Sequence, residues 1–125
     1  MKRPDVRTYL FDVAQACDLL DAFTRGRSFD DYAGDPMLRS AVERQFEVAG
    51  EALRRAFEVD GSLGQRITDA SRIIAFRNRL THGYATVSNE VVWGIVERHL
   101  LTLREEVQAL IGEDPSASTK SEAPA

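Results

Sequence analysis

Val92, Val96, Leu100, Leu103, Val107 and Leu110 recur at spacings of four and three. That rhythm is the period of an α-helix with one apolar face. It recurs in three other segments of the chain. Val6, Leu10, Val13, Cys17 and Leu20 carry it over about 5–24, with Asp5 placed as cap and Gly26 as stop. A second helix opens at Asp35-Pro36, an N-cap followed by proline at the first helical position. Its stripe runs Leu38, Val42, Phe46, Ala49 and Leu53, and it ends near Gly61. The third is predicted over roughly 64–81, with Ile67, Ala70, Ile73, Ile74 and Leu80 inward and Gly83 just past its end. Ser88 opens the fourth, which runs to Gly112. Between the first two, Ser28 and Asp31 have capping-box spacing, enough for one helical turn in the connector. No segment alternates like a strand. The expected fold is all-α, a four-helix up-and-down bundle over 1–112. From Glu113 on, "EDPSASTKSEAPA" is rich in proline, serine and alanine and is expected to be a disordered tail, 113–125.

Composition narrows the class. The 125 residues suit one domain, and 43% hydrophobic with 29% charged residues suits a folded soluble one. No apolar run is long enough to span a bilayer. The basic start "MKRPDVRTYLFDV" is interrupted by Asp5 and Asp12 and does not read as a signal peptide. One cysteine, Cys17, cannot form an internal disulfide, which points to a reducing cytoplasm and a buried apolar role.

A net charge of −4 argues against a generic nucleic-acid binder. The charge is unevenly spread, however. Arg66 to Tyr84 holds four arginines and one acid, Asp69. A local cationic patch of this kind can hold phosphates on an acidic protein, because screening keeps such contacts short-ranged. Arginines decorating a solvated helix face are the plain alternative.

Within that segment, "RNRLTHGY" gathers Arg77, Asn78, His82 and Tyr84 at a helix end. Asn78 and His82 are one turn apart, whereas Arg77 and His82 lie roughly 140° apart on the wheel. A helix break at Gly83 lets Tyr84 turn back toward the same terminus. The set suits phosphodiester chemistry. Histidine trades protons near neutrality. Arginine is a fixed cationic fork for phosphate oxygens and for charge developing on them. Asn78 has the reach to orient the imidazole or a phosphate, and Tyr84 to stack a base. Arg79 points elsewhere and reads as structural or solvated. A histidine in a last turn is also favoured by the helix dipole alone, and spacing does not separate the two readings. His99 is the one other histidine, and no ligand-spaced cluster implies a metal or cofactor. Glu47 and Glu51, one turn apart, read as an exposed helix face, and Trp93 as a core or dimer-interface anchor.

"FRNRLTHGYATVSNEVVW" resembles the Arg-x4-His-x-Tyr signature of the HepT branch of the HEPN superfamily. "AVERQFEVAGEAL" resembles that branch's second-helix pattern, and "VRTYLFDVAQACDLLDAF" its first helix. The resemblance implies an all-helical, HEPN-like, dimerising, metal-independent endoribonuclease that acts as the toxin of a toxin–antitoxin pair. It implies Arg77 and His82 as catalytic residues and Asn78 as an assisting one. It also implies a partner, an MntA-like minimal nucleotidyltransferase antitoxin, which silences the nuclease by AMPylation of Tyr84. Acidic residues often follow the tyrosine in that branch, where this chain has Ala85 and Ser88. The competing expectation is a non-catalytic HEPN module that binds a nucleotide or a protein partner.

Overall fold

The computed structural model describes residues 5–83 and 87–113. Of the expected tail, 113–125, all but Glu113 lies outside the described residues, and so does Tyr84. Within them every regular element is helical: α1 (Val6–Thr24), α2 (Phe29–Ala33), α3 (Pro36–Val59), a 3-10 turn (Gly61–Gln65), α4 (Ala70–His82), α5 (Asn89–Arg98) and α6 (Leu100–Gly112).

The predicted caps form. Asp5 accepts the Arg7 N–H, and Asp35 accepts those of Met37 and Leu38 ahead of Pro36. Ser28 and Asp31 close a reciprocal capping box, which gives the connector its short helix α2. Ser88 accepts from Val91 to start α5.

Helix α3 is the spine of the bundle. It packs along α1 on one side and α4 on another, and α6 returns to lie along α1. Arg104 of α6 reaches Asp18 at 2.9 Å and Asp21 at 3.5 Å on α1. The stripe residues Leu10, Val13, Cys17, Leu20, Val42, Phe46, Leu53, Ile73, Leu103 and Val107 fill the core. Trp93 is a core residue too, 6% exposed, its ring 5.4 Å from that of fully buried Tyr32 on α2.

Two boundaries differ from the sequence reading. The third helix begins at Ala70, not near Gly64. Asp60 caps the 3-10 turn through Ser62, and the N–H and hydroxyl of Thr68 both donate to Glu106 of α6, at 3.0 and 2.6 Å. With its donors spent on another helix, Thr68 stays outside α4. The fourth segment bends at His99, where φ is −123° and ψ −25°. The imidazole Nδ1 of His99 sits 2.9 Å from Asp69 at the start of α4, so the bend is held by a side-chain tie across the bundle. Backbone bonds from His99 to Ile95 and from Leu103 to His99 keep the two helices continuous through the bend.

Candidate active site

Helix α4 carries the polar residues singled out in the sequence. Its first turn has no side-chain cap, because the Asp69 carboxylate goes to His99 and, at 3.7 Å, to Arg72. Its last residue is His82. Gly83 then takes the left-handed conformation, φ +52°, and gives its N–H to the Arg79 carbonyl at 3.2 Å. A residue with a Cβ pays a steric cost in that conformation, so a glycine stop leaves His82 at a clean helix terminus.

Arg77 is positioned by a glycine on the facing helix. A Cβ built on Gly50 of α3 would stand 2.2 Å from the Arg77 Cβ and 2.7 Å from its Cγ. The arginine stem therefore lies directly over the Gly50 backbone. Bare backbone at that point lets α3 and α4 close on each other, and it sets the height from which the guanidinium projects.

The guanidinium is held at both ends of its fork. One Nη lies 2.8 Å from the Glu51 carboxylate, and the other donates to the Asn78 amide oxygen at 2.9 Å. Glu51 also accepts from Arg54 and Arg55, each at 3.0 Å. Hydrogen bonds from Arg54 and Arg55, with the Arg77 charge behind them, outweigh burial and hold the Glu51 carboxyl down at about 2. Arg54 also pairs with Glu58, so three guanidinium groups face two carboxylates and the cluster stays cationic. Arg77 has five N–H donors and these contacts engage two, so it keeps donors for an incoming oxyanion. The Arg77 side chain is only 19% exposed, which strengthens its field relative to a solvated arginine. It opens onto a groove of about 470 Å³ between α1, α3 and α4, bordered by Tyr9, Arg44, Glu47 and Thr81.

The sequence-predicted set is therefore partly gathered. Arg77 and Asn78 touch. His82 is exposed at the helix end and, among the described residues, is joined to neither of them by a hydrogen bond. Asn78 uses its amide oxygen on Arg77 and makes no bond to the imidazole. Arg79 is exposed on the opposite side of α4, facing α5. Among the described residues no group of three or more His, Cys, Asp or Glu side chains is placed to hold a metal, and no helix is long and apolar enough to cross a membrane. Two residues that matter were not picked out from sequence. Glu51, read there as part of an exposed face, is the half-buried anchor of Arg77. Gly50 sits mid-helix, where glycine costs stability against alanine, and that cost was the available sign of a packing role.

The chain matches the family described as Ribonuclease HepT-like over residues 13–110. It is 31% identical over 110 residues to "Probable ribonuclease HepT" of Thermococcus cleftensis, covering 88% of this chain and 98% of that one. A "Putative RNase" of Methanocaldococcus jannaschii is 30% identical over 122 residues, covering 94% and 99%. A "Putative RNase" of Caldanaerobacter subterraneus is 27% identical over 114 residues, covering 91% and 99%. No solved structure matches the chain.

Proposed function

The chain belongs to the Ribonuclease HepT-like family, and from that premise we propose that it is a metal-independent endoribonuclease, the toxin of a toxin–antitoxin pair. The observation that carries the reading is Arg77: a half-buried guanidinium, fixed over Gly50 and braced by Glu51, one short stretch of helix from an exposed histidine.

The chemistry those residues permit is attack of an RNA 2′-hydroxyl on its adjacent phosphorus. The 2′-oxygen forms the new P–O bond as the P–O5′ bond breaks. His82 takes the proton from the 2′-hydroxyl or gives one to the departing 5′-oxygen. Arg77 faces the charge that builds on the non-bridging oxygens, and such preorganised donors act most strongly where water is scarce. The products are a 2′,3′-cyclic phosphate and a 5′-hydroxyl. One subunit offers one such histidine. A homodimer that sets two His82 side chains across one cleft supplies a base and an acid together.

Tyr84 is the proposed control point. A cognate minimal nucleotidyltransferase would place AMP on its hydroxyl. The added phosphodiester charge then competes for Arg77, and the adenosine fills the cleft. Neither effect requires the bundle to unfold.

The test is cleavage of RNA by the purified chain in EDTA, with the products read by mass. His82→Ala and Arg77→Ala are each expected to lose cleavage while keeping the parent's far-UV circular dichroism. A His82→Ala protein that cuts as fast as the parent would overturn the assignment. For control, intact mass after co-expression with the nucleotidyltransferase is expected to gain adenylyl groups on the parent and none on Tyr84→Phe. Light scattering is expected to give a dimer.

A further inference from the structure

A second groove, about 540 Å³, lies on the side of α4 away from Arg77, between α4 and α5. Small residues keep it open: Ala75 on α4 and Gly94 on α5 face into it. Its walls are cationic. Arg72 and Arg79 come from one face of α4, two turns apart, and Arg98 comes from α5. The Arg98 guanidinium lies back over the groove, 3.8 Å from where a Gly94 Cβ would be. One acid, Glu90, shares the lining.

The pairing of these arginines differs from that of the first groove. Arg54, Arg55 and Arg77 share Glu51, so each of them has a carboxylate partner within the protein. Among the described residues Arg79 and Arg98 have no carboxylate within ion-pair distance, and Arg72 has Asp69 only at 3.7 Å, with its side chain 62% exposed. Guanidinium forks that are neither buried nor paired are free to bind anions, and phosphate fits them two-pronged. The track also leads somewhere. Arg79 stands three residues before His82, so the two are neighbours along the helix surface.

We propose that the α4–α5 groove, through Arg72, Arg79 and Arg98, binds the backbone phosphates of the RNA strand that flank the one cut at His82. This rests on the ribonuclease reading above and extends it from the scissile phosphate to its neighbours. The aromatic residue in the floor, Phe76, is 4% exposed and packs edge-on against Phe46, so it offers no free face to stack a base. The groove therefore reads backbone charge and not base sequence.

The experiment uses the full chain and a fluorescent, mixed-sequence oligonucleotide with every 2′-oxygen methylated, which binds as RNA but cannot be cleaved. Anisotropy is read across about 50–200 mM salt, where affinity for a single strand falls by about 0.7 logarithmic units per phosphate contact for each tenfold rise in salt. Arg79→Ala/Arg98→Ala is expected to bind several-fold more weakly at the lowest salt, with a salt slope shallower by about 1.4. Arg79→Lys/Arg98→Lys is expected to recover the slope, because the charge is restored. The loss should be the same for a second oligonucleotide of unrelated sequence. An alanine pair that keeps the parent's affinity and slope overturns the track, and so does one that loses only a protein partner. Because the probe cannot react, the two readings fail separately. A parent that binds with this slope but never cleaves RNA refutes the nuclease and leaves the track standing. A parent that cleaves, with alanine variants that bind undiminished, does the reverse.

Discussion

Gly50→Ala adds one methyl group at the closest approach of α3 and α4. The added carbon would stand 2.2 Å from the Arg77 Cβ, where carbon–carbon contact needs about 3.5 Å. It would also meet the Ile73 carbonyl oxygen at 3.2 Å, which is backbone and cannot rotate away. The Arg77 Cβ is fixed to its helix as well, so the helices must part by about 1 Å. A gap of that size forfeits roughly a quarter to a half of the dispersion attraction across the interface. Overpacking of this kind costs about 1–3 kcal/mol. Alanine's helix propensity works the other way by about 1 kcal/mol. Because the clash involves two atoms without freedom, the packing cost lies at the top of its range, about 3 kcal/mol, and the net expected loss is about 2 kcal/mol. In urea, with a slope of about 2 kcal/mol/M, the midpoint falls by about 1 M. A domain with about 5–15 kcal/mol of stability remains almost wholly folded at that loss. Any fall in activity then reports displacement of Arg77, and a misplacement of about 1 Å is enough for roughly a hundredfold loss. Gly112→Ala is the matching control, since a Cβ there meets nothing within 4 Å. It should be as stable as the parent or slightly more so. A Gly50→Ala midpoint equal to or above the parent's would refute the close-approach argument, because propensity alone gives that sign.

Three other outcomes follow from the structure. The Glu51 carboxyl, lowered from 4.5 to about 2 by its arginines, contributes stability that is complete above about pH 4.5 and lost as pH falls toward 2. The stability difference between the parent and Glu51→Gln should therefore shrink over that range, and a difference equal at neutral and acid pH would contradict the arrangement. Among the described residues the buried hydroxyl of Tyr32 has no hydrogen-bond partner, and Tyr32→Phe should raise the thermal midpoint by a few degrees, through relief of about 1 kcal/mol; a lower midpoint would mean the hydroxyl is satisfied. Burial pushes the Cys17 thiol up to about 12, so a thiol reagent at about pH 8 should label it only as fast as the chain opens, and prompt labelling of the native protein would place it at the surface.

The four helical segments and their caps were readable because each depends on residues close in sequence. Asp35-Pro36, the Ser28–Asp31 box and the Gly83 stop all act over a few positions. The misplaced boundaries have the opposite character. The start of α4 is decided by Thr68 donating to Glu106, and the bend at His99 is held by Asp69. No local pattern carries either contact. The site divides in the same way. Arg77 and His82 stand out by chemical type and spacing. The braces that fix Arg77, Gly50 and Glu51, lie on another helix, and the i+3 and i+4 spacing of Arg54 and Arg55 from Glu51 reads equally as surface pairing. Phe76 was absent from the predicted stripe, yet it is buried against Phe46, because α4 turns that flank toward α3 as well.

The tie between α6 and α1 bears on the order in which the chain can assemble. Arg104 and Asp18 are separated by 86 positions, whereas Thr81 meets Glu47 across 34 and His99 meets Asp69 across 30. Closing the longer loop costs roughly 0.8 kcal/mol more entropy than closing one of 34. The contacts around the candidate site are thus the cheaper ones to form, and the seam between the first and last helices is the dearest. In kinetic terms, the hairpin of α3 and α4 can nucleate on its own short loops. Substitutions at the α1–α6 seam would then mainly quicken unfolding, while those at Gly50 would slow folding itself.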